Sequence, residues 1–402
     1  MPETGPVVIV GGGWAGLAAA VELCSNKIPV TLLESAPQLG GRARSVRAAD
    51  MLVDNGQHLL IGAYRSVLGL MGRIGVDCKR AFLRRPLTLR LMQGNNTSLH
   101  FKAPVLPAPL HLLGAILTAR GLSRADRFQA LRFGRRLSEL SRMEQDDISV
   151  QALLLNQAQT PAVMRKLWAP LCIAALNTAP DHASACIFMR TLQESFLDIR
   201  EHSDLLIPRV TLGDLLPLPC VDYLRQRGGS IELGQRVTSL EIENSRIQAV
   251  NIRDQRIAAS QVILAAPHTI SRRLMSRHPP LQALCSQLSE LDDEAIITLY
   301  LQYPPQIRLP QPVIGLEGTL AQWVFDRGIC TQPGMMAVVI SAGGCHAQMN
   351  TDELTQRVAA ELAASFPDWP AHKRSLLIRE KRATFSSRVG IDEIRPANRT
   401  AV

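Results

Sequence analysis

Three glycines confine the beginning of this chain to one kind of structure. Pro6-Val-Val-Ile-Val10 is a short apolar run, Gly11-Gly-Gly13-Trp-Ala-Gly16 follows it without a gap, and Gly16 to Cys24 reads as a helix. A buried strand that turns straight into a helix needs a residue without Cβ at the turn, a second where backbone meets ligand, and a third where helix packs on strand; Gly11, Gly13 and Gly16 meet these needs in that order. The first helical turn, with Ala15 in it, offers free N–H groups and the positive end of the helix dipole, which suits a pyrophosphate. Ile28-Pro-Val-Thr-Leu-Leu33 predicts a second strand ending on Glu34, 18 residues beyond Gly16, where a carboxylate can accept both hydroxyls of a ribose. Strand, glycine turn, helix, strand and acid in this order predict a Rossmann-like α/β unit that binds an adenine dinucleotide.

The next residues distinguish flavin from nicotinamide. Leu39-Gly40-Gly41-Arg42-Ala43 resembles the Gly-Gly-Arg signature of the FAD-dependent amine oxidase and phytoene desaturase superfamily. The resemblance implies FAD as cofactor, with Gly40 and Gly41 beside its pyrophosphate and Arg42 as counter-ion. Val46 to Val53 predicts a hairpin closing on Asp54-Asn-Gly-Gln57-His58, a turn rich in donors and acceptors. Its position past the pyrophosphate loop places it near the flavin ring, with Gln57 as a contact; the plain alternative is an ordinary Asn-Gly turn.

A chain of 402 residues with 46% apolar content can fill two cores, so two domains are expected. Ser230 to Leu233, Arg236 to Ile242, Ile247 to Ile252 and Gln261 to Pro267 read as strands. They predict a discontinuous FAD-binding domain, 1–95 and 205–270, alternating with a mixed α+β substrate domain, 96–204 and 271–385, and an irregular tail, 386–402. In flavoproteins of this type the strand with Val237 lies against the adenine, where its backbone can address the base.

Aromatics make up only 4% of the chain and no Zn-type Cys/His spacing occurs, so neither nucleic-acid binding nor a metal site is expected. The eight cysteines form no CxxC pair and no signal peptide follows Met1, which reads as reduced thiols in a cytoplasmic protein. No window holds the roughly 20 apolar residues of a spanning helix, so the protein is expected to be soluble or to lie on a membrane. The net charge of +9 fits a phosphate-bearing cofactor or an acidic leaflet. Ala103 to Leu122 is apolar and broken by prolines. Ser123 and Asp126 then open a helix by a capping box, in which Arg124, Arg127, Arg135, Arg136 and Arg142 alternate with Phe128, Leu131, Leu137 and Leu140. Residues 103–143 are therefore read either as a peripheral contact with the inner membrane or as a domain helix with its polar side in water.

Several segments together resemble the hydroxysqualene dehydroxylases, the squalene-associated FAD-dependent desaturases of bacterial hopanoid synthesis. They are Gly11 to Arg44, Asp54 to Leu60 with Gly62-Ala-Tyr64, Trp168 to Asn177, Asp204 to Arg209, Gln322 to Gly328 and Arg379 to Phe385. The resemblance implies a long-chain isoprenoid substrate, an apolar tunnel and reductive removal of an allylic hydroxyl, with an acid protonating the departing oxygen. For that acid, His58 is the first candidate, since it can titrate near neutral pH, and Asp326 the second. A carotenoid desaturase, an amine oxidase and an inactive or scaffold flavoprotein remain as alternatives. The superfamily closes with a Gly-Asp strand and helix that complete the flavin site. Nothing similar follows Phe385, so that FAD-domain segment is expected to be missing and FAD retention weak.

Overall fold

The computed structural model describes residues 5–48, 50–140, 146–244, 246–253 and 255–396. In chain order the strands of the first half are β1 (Val7–Val10), β2 (Val30–Glu34), β3 (Ser45–Ala48), β4 (Met51–Asp54), β5 (Leu60–Ile61), β6 (Phe82–Arg85), β7 (Thr88–Gln93) and β8 (Asn96–Lys102). Those of the second half are β9 (Leu205–Pro208), β10 (Ser230–Leu233), β11 (Val237–Glu243), β12 (Arg246–Ile252), β13 (Gln255–Ala258), β14 (Gln261–Leu264), β15 (Asp293–Gln302), β16 (Val313–Leu316), β17 (Trp323–Asp326), β18 (Met335–Ser341) and β19 (Arg374–Phe385).

All four residues of β1 are buried, because it is the inner strand of a parallel sheet ordered β10–β2–β1–β14 and is covered on both faces. Strand alternation divides its side chains between two cores. Ile9 joins Leu17, Ala20 and Val21 of helix α1 (Trp14–Ser25) on one side. Val8 and Val10 meet Val237, Leu240 and Val250 of the antiparallel β11–β12–β13 sheet on the other. The helix starts two residues earlier than its pattern predicts, at the glycine turn itself.

The second unit is a seven-stranded sheet ordered β19–β15–β18–β17–β16–β7–β8, antiparallel except where β16 runs parallel to β7. Ile297, Leu299 and Leu301 of β15 face the helix Thr351–Ser365 through Leu354, Val358 and Leu362. Tyr300 faces the opposite way, toward Met51 and Val53 of the β3–β4 hairpin. Helices between 110 and 196 build a further core on Leu89, Leu91, Leu99 and Phe101 of β7 and β8.

Three expected boundaries move. The division between 95 and 96 cuts the β7–β8 hairpin, in which Gln93 pairs with Asn96, so both strands belong with the substrate sheet. The division after 270 is too early, since Leu274, Met275 and Cys285 pack in the same core as Val8 and Val10. The tail expected to be irregular from 386 is docked as far as it is described. Ser387 donates its N–H to Thr178 Oγ1 at 3.0 Å, its carbonyl accepts from Ser184 N–H at 2.8 Å, and the short helix Ile391–Ile394 buries Ile391.

Candidate active site

Positive φ at Gly11 (113°) turns the chain out of β1, and a Cβ there would lie 2.7 Å from the Ala265 carbonyl oxygen. At Gly16 it would lie 1.9 Å from the Gly11 carbonyl oxygen, so the helix approaches the turn this closely only because Gly16 lacks a side chain. Gly13 differs. A Cβ built on it meets nothing nearer than Gly41 Cα at 3.9 Å, so that position needs no glycine for packing. Gly13 is the N-cap of α1 and carries no side-chain cap, Ala15 in the first turn is exposed, and Gly40 bridges to Gly13 and donates its N–H to Gly12 at 2.8 Å. Two glycine turns thus flank a helix start whose N–H groups no side chain covers, which is the setting for an anionic pyrophosphate.

Glu34, the last residue of β2, accepts the Gly12 and Ala36 N–H groups, each at 2.7 Å. The segment entering β11 runs beside it, with Gln235 N–H donating to the Glu34 carbonyl at 2.8 Å, and Val237 is buried against β1. Uncapped helix start, open space over Gly13 and a carboxylate at the end of β2 together fit the dinucleotide half of FAD.

The turn after β4 is held by residues distant in sequence. Asp54 is buried and accepts Leu212 N–H at 2.8 Å, and its other oxygen meets Arg327 Nη1 at 2.7 Å. The same nitrogen donates to Gln57 Oε1 at 2.8 Å, and Tyr300 donates its hydroxyl to the Asp54 carbonyl at 2.8 Å. Burial works against charge on Arg327, but Asp54, Cys330 and Tyr300 together outweigh it and the guanidinium pKa is raised. His58 Nδ1 donates to the Gly56 carbonyl at 2.8 Å, leaving Nε2 as an acceptor. Burial lowers the imidazole pKa, against the opposing pull of the Gly56 carbonyl and Asp54. That direction disfavours the charged imidazole that a proton donor would need, which counts against His58 as the acid and for a role as acceptor at Nε2.

Beside this turn lies a cavity of about 640 Å³, whose wall includes Leu87, Leu89, Leu192, Phe196, Val313 and Trp323. Its polar lining includes Arg42, Asn55, Gln57, His58, Thr298 and Glu380. Asn55 Nδ2 donates to Glu380 Oε2 at 3.0 Å, and Gln57 N–H to Thr298 Oγ1 at 3.4 Å, which draws this polar group together. Glu380 begins a bulge in β19, where the pairing with β15 jumps from Ile296–Glu380 to Glu294–Thr384. Glu380 stands in the Arg379 to Phe385 segment of the resemblance, but was not singled out there as a site residue.

Two further expectations change. Asp326 does not line the cavity: strand alternation turns Trp323 and Phe325 toward it and Asp326 away, where it accepts Gly328 N–H at 2.7 Å and Leu309 N–H at 3.1 Å. It is a loop clamp. Arg42 lines the cavity and donates to the carbonyls of Ala383 (2.7 Å) and Arg382 (3.2 Å), so its guanidinium secures the β19 bulge instead of standing free beside the glycine turn.

On the surface, Ser123 and Asp126 exchange reciprocal hydrogen bonds of 2.9 and 3.1 Å and open the helix Arg124–Leu140. Its apolar face buries Ala130, Phe133 and Leu137, whereas Phe128, expected on that face, points outward. Residues 141–143, with Arg142, lie outside the described residues. Among the described residues, no helix is long and apolar enough to cross a membrane.

The family model for flavin containing amine oxidoreductases matches residues 14–400. Hydroxysqualene dehydroxylase of Sinorhizobium fredii is 25% identical over 409 aligned residues, covering 98% of this chain and 89% of the relative. The zeta-carotene desaturase of Arabidopsis thaliana is 23% identical, covering 100% and 80%. Among solved structures, an oxidoreductase from Methanosarcina mazei superposes with a TM-score of 0.75 at 16% identity, covering 98% of this chain and 92% of that one, which shows a shared fold.

Proposed function

The chain belongs to the flavin containing amine oxidoreductase family and is an FAD-dependent oxidoreductase; on that premise we propose that its substrate is hydroxysqualene, a long-chain isoprenoid, and its product squalene. The observation that carries the proposal is the cavity. Apolar walls suit a hydrocarbon, and the polar group formed by Asn55, Gln57, His58 and Glu380 offers one place for a hydroxyl.

Reduced FAD, when bound, supplies a hydride equivalent. The protein's own part is to hold the chain, exclude water and bring a proton to the departing hydroxyl, which leaves as water when the allylic C–O bond breaks. Neutral His58 can orient the hydroxyl by accepting its hydrogen at Nε2. Glu380, steadied by Asn55, is the carboxyl that can carry the proton to the oxygen. An oxidative carotenoid-type desaturation is the second reading, favoured by the similarity to the zeta-carotene desaturase.

The two readings separate by product. The purified enzyme is incubated anaerobically with reduced FAD and hydroxysqualene, and in parallel with oxidised FAD and phytoene, followed by mass spectrometry of the lipids. Squalene in the first reaction is expected. Conversion of phytoene with no squalene formed overturns the proposal.

A further inference from the structure

We propose that the face built by residues 104–106, the outer side of the helix Leu110–Thr118 and the basic side of the helix Arg124–Leu140 docks on the surface of an anionic lipid bilayer. A helix on a protein surface normally turns polar residues outward, yet LHLLGAILT carries no charge on either side. Its inner face buries His111, Leu112, Ala115 and Ile116, while Leu110 and Leu117 stand exposed on the other face.

The neighbouring segments make this face continuous. A Cβ on Gly114 would lie 2.8 Å from Pro104 Cγ and 3.5 Å from Leu106 Cδ1, so the loop carrying Val105, 79% exposed, rests on the helix. Gly134 of the second helix sits against Leu113 and Ile116, and Arg127 Nη1 donates to the Leu117 carbonyl at 3.1 Å. Phe128, 65% exposed, then falls among exposed Arg124, Arg132 and Arg135 at spacings of four, four and seven residues. Large apolar side chains set among arginines fit the boundary between lipid headgroups and acyl chains.

Charge selects lipid over a second copy of the chain. Residues 102–140 hold seven Lys and Arg against two acids, and the carboxylate of one of these, Asp126, is committed to accepting from Ser123 N–H and the Thr160 hydroxyl. A two-fold contact through this face would set Arg124, Arg132 and Arg135 against arginines of the second copy, whereas an anionic leaflet complements these three.

The test is flotation of the FAD-loaded enzyme with vesicles of phosphatidylcholine alone and of phosphatidylcholine with phosphatidylglycerol. Binding to the anionic vesicles is expected, declining with salt and at least about tenfold weaker to the neutral ones. Val105→Ser with Phe128→Ser, and separately Arg124→Glu with Arg135→Glu, should each weaken it by about tenfold or more. Ile28→Ser and Leu233→Ser, at exposed apolar positions elsewhere, should leave it unchanged. Equal binding to both vesicle types, an unchanged Val105/Phe128 variant, or a concentration-dependent doubling of mass abolished by Phe128→Ser would overturn the proposal. Flotation needs no turnover, so its failure would leave the substrate reading standing.

Discussion

Replacing Arg327 with methionine removes the cation of a pair whose side chains are only 1% and 2% exposed, and it leaves the Asp54 carboxylate buried without its partner. Breaking such a pair from one side costs about 3–5 kcal/mol, mostly the desolvation of the orphaned charge. At roughly 2.1 cal/mol/K of unfolding entropy per residue, a loss of about 4 kcal/mol in one cooperative transition of a chain this long lowers Tm by about 5 °C. The same change frees Gln57 Oε1, so the wall of the cavity loosens together with the fold. Adding Asp54→Asn should recover about 2 kcal/mol, because the amide is uncharged and its oxygen can still accept the Leu212 N–H. Urea denaturation of the two variants against the wild type reads both effects. A cost below about 1 kcal/mol for Arg327→Met, or no recovery in the double variant, would refute the view that this ion pair anchors the 54–58 turn.

Gly13→Ala should keep the fold, costing no more than about 1 kcal/mol as an N-cap change, yet sharply weaken FAD binding measured by flavin fluorescence; unchanged affinity would move the pyrophosphate elsewhere. Gly16→Ala should instead destabilise the chain itself, since the new methyl meets the Gly11 carbonyl, and normal melting would contradict that contact. Burial holds His58, His111 and His346 below the ordinary histidine pKa, so the unfolded chain takes up more protons below pH about 6.5. Stability should be complete above that pH and fall as the solution is acidified toward the lowered native values. His111→Gln should flatten the curve of Tm against pH, and an unaltered curve would exclude His111 as a contributor. Glu380→Gln should cut turnover by about 10²–10⁴ with FAD content unchanged, and Asp326→Asn should lower Tm while sparing turnover; the reverse pattern would return the proton to Asp326.

The dinucleotide cradle, the β3–β4 hairpin and the cap at Ser123 were readable because each arises within a few dozen consecutive residues. Gly11 is required by its positive φ and Gly16 by the Gly11 carbonyl five residues away, both of them features of the local turn. The cavity end of the site was readable only as far as the 54–58 turn, whose Gln57 and His58 do line it. Asp54 meets Arg327 across 273 positions and Asn55 meets Glu380 across 325, and nothing in either neighbourhood names its partner. The two candidate acids show why. Asp326 stands next to Phe325, and the parity of a single strand position sends the phenyl ring into the cavity and the carboxylate out of it. His58 does face the cavity, but burial there disfavours its charged form. Local pattern sets which backbone forms; what a polar side chain can do is set by the partners and the dielectric that folding places around it.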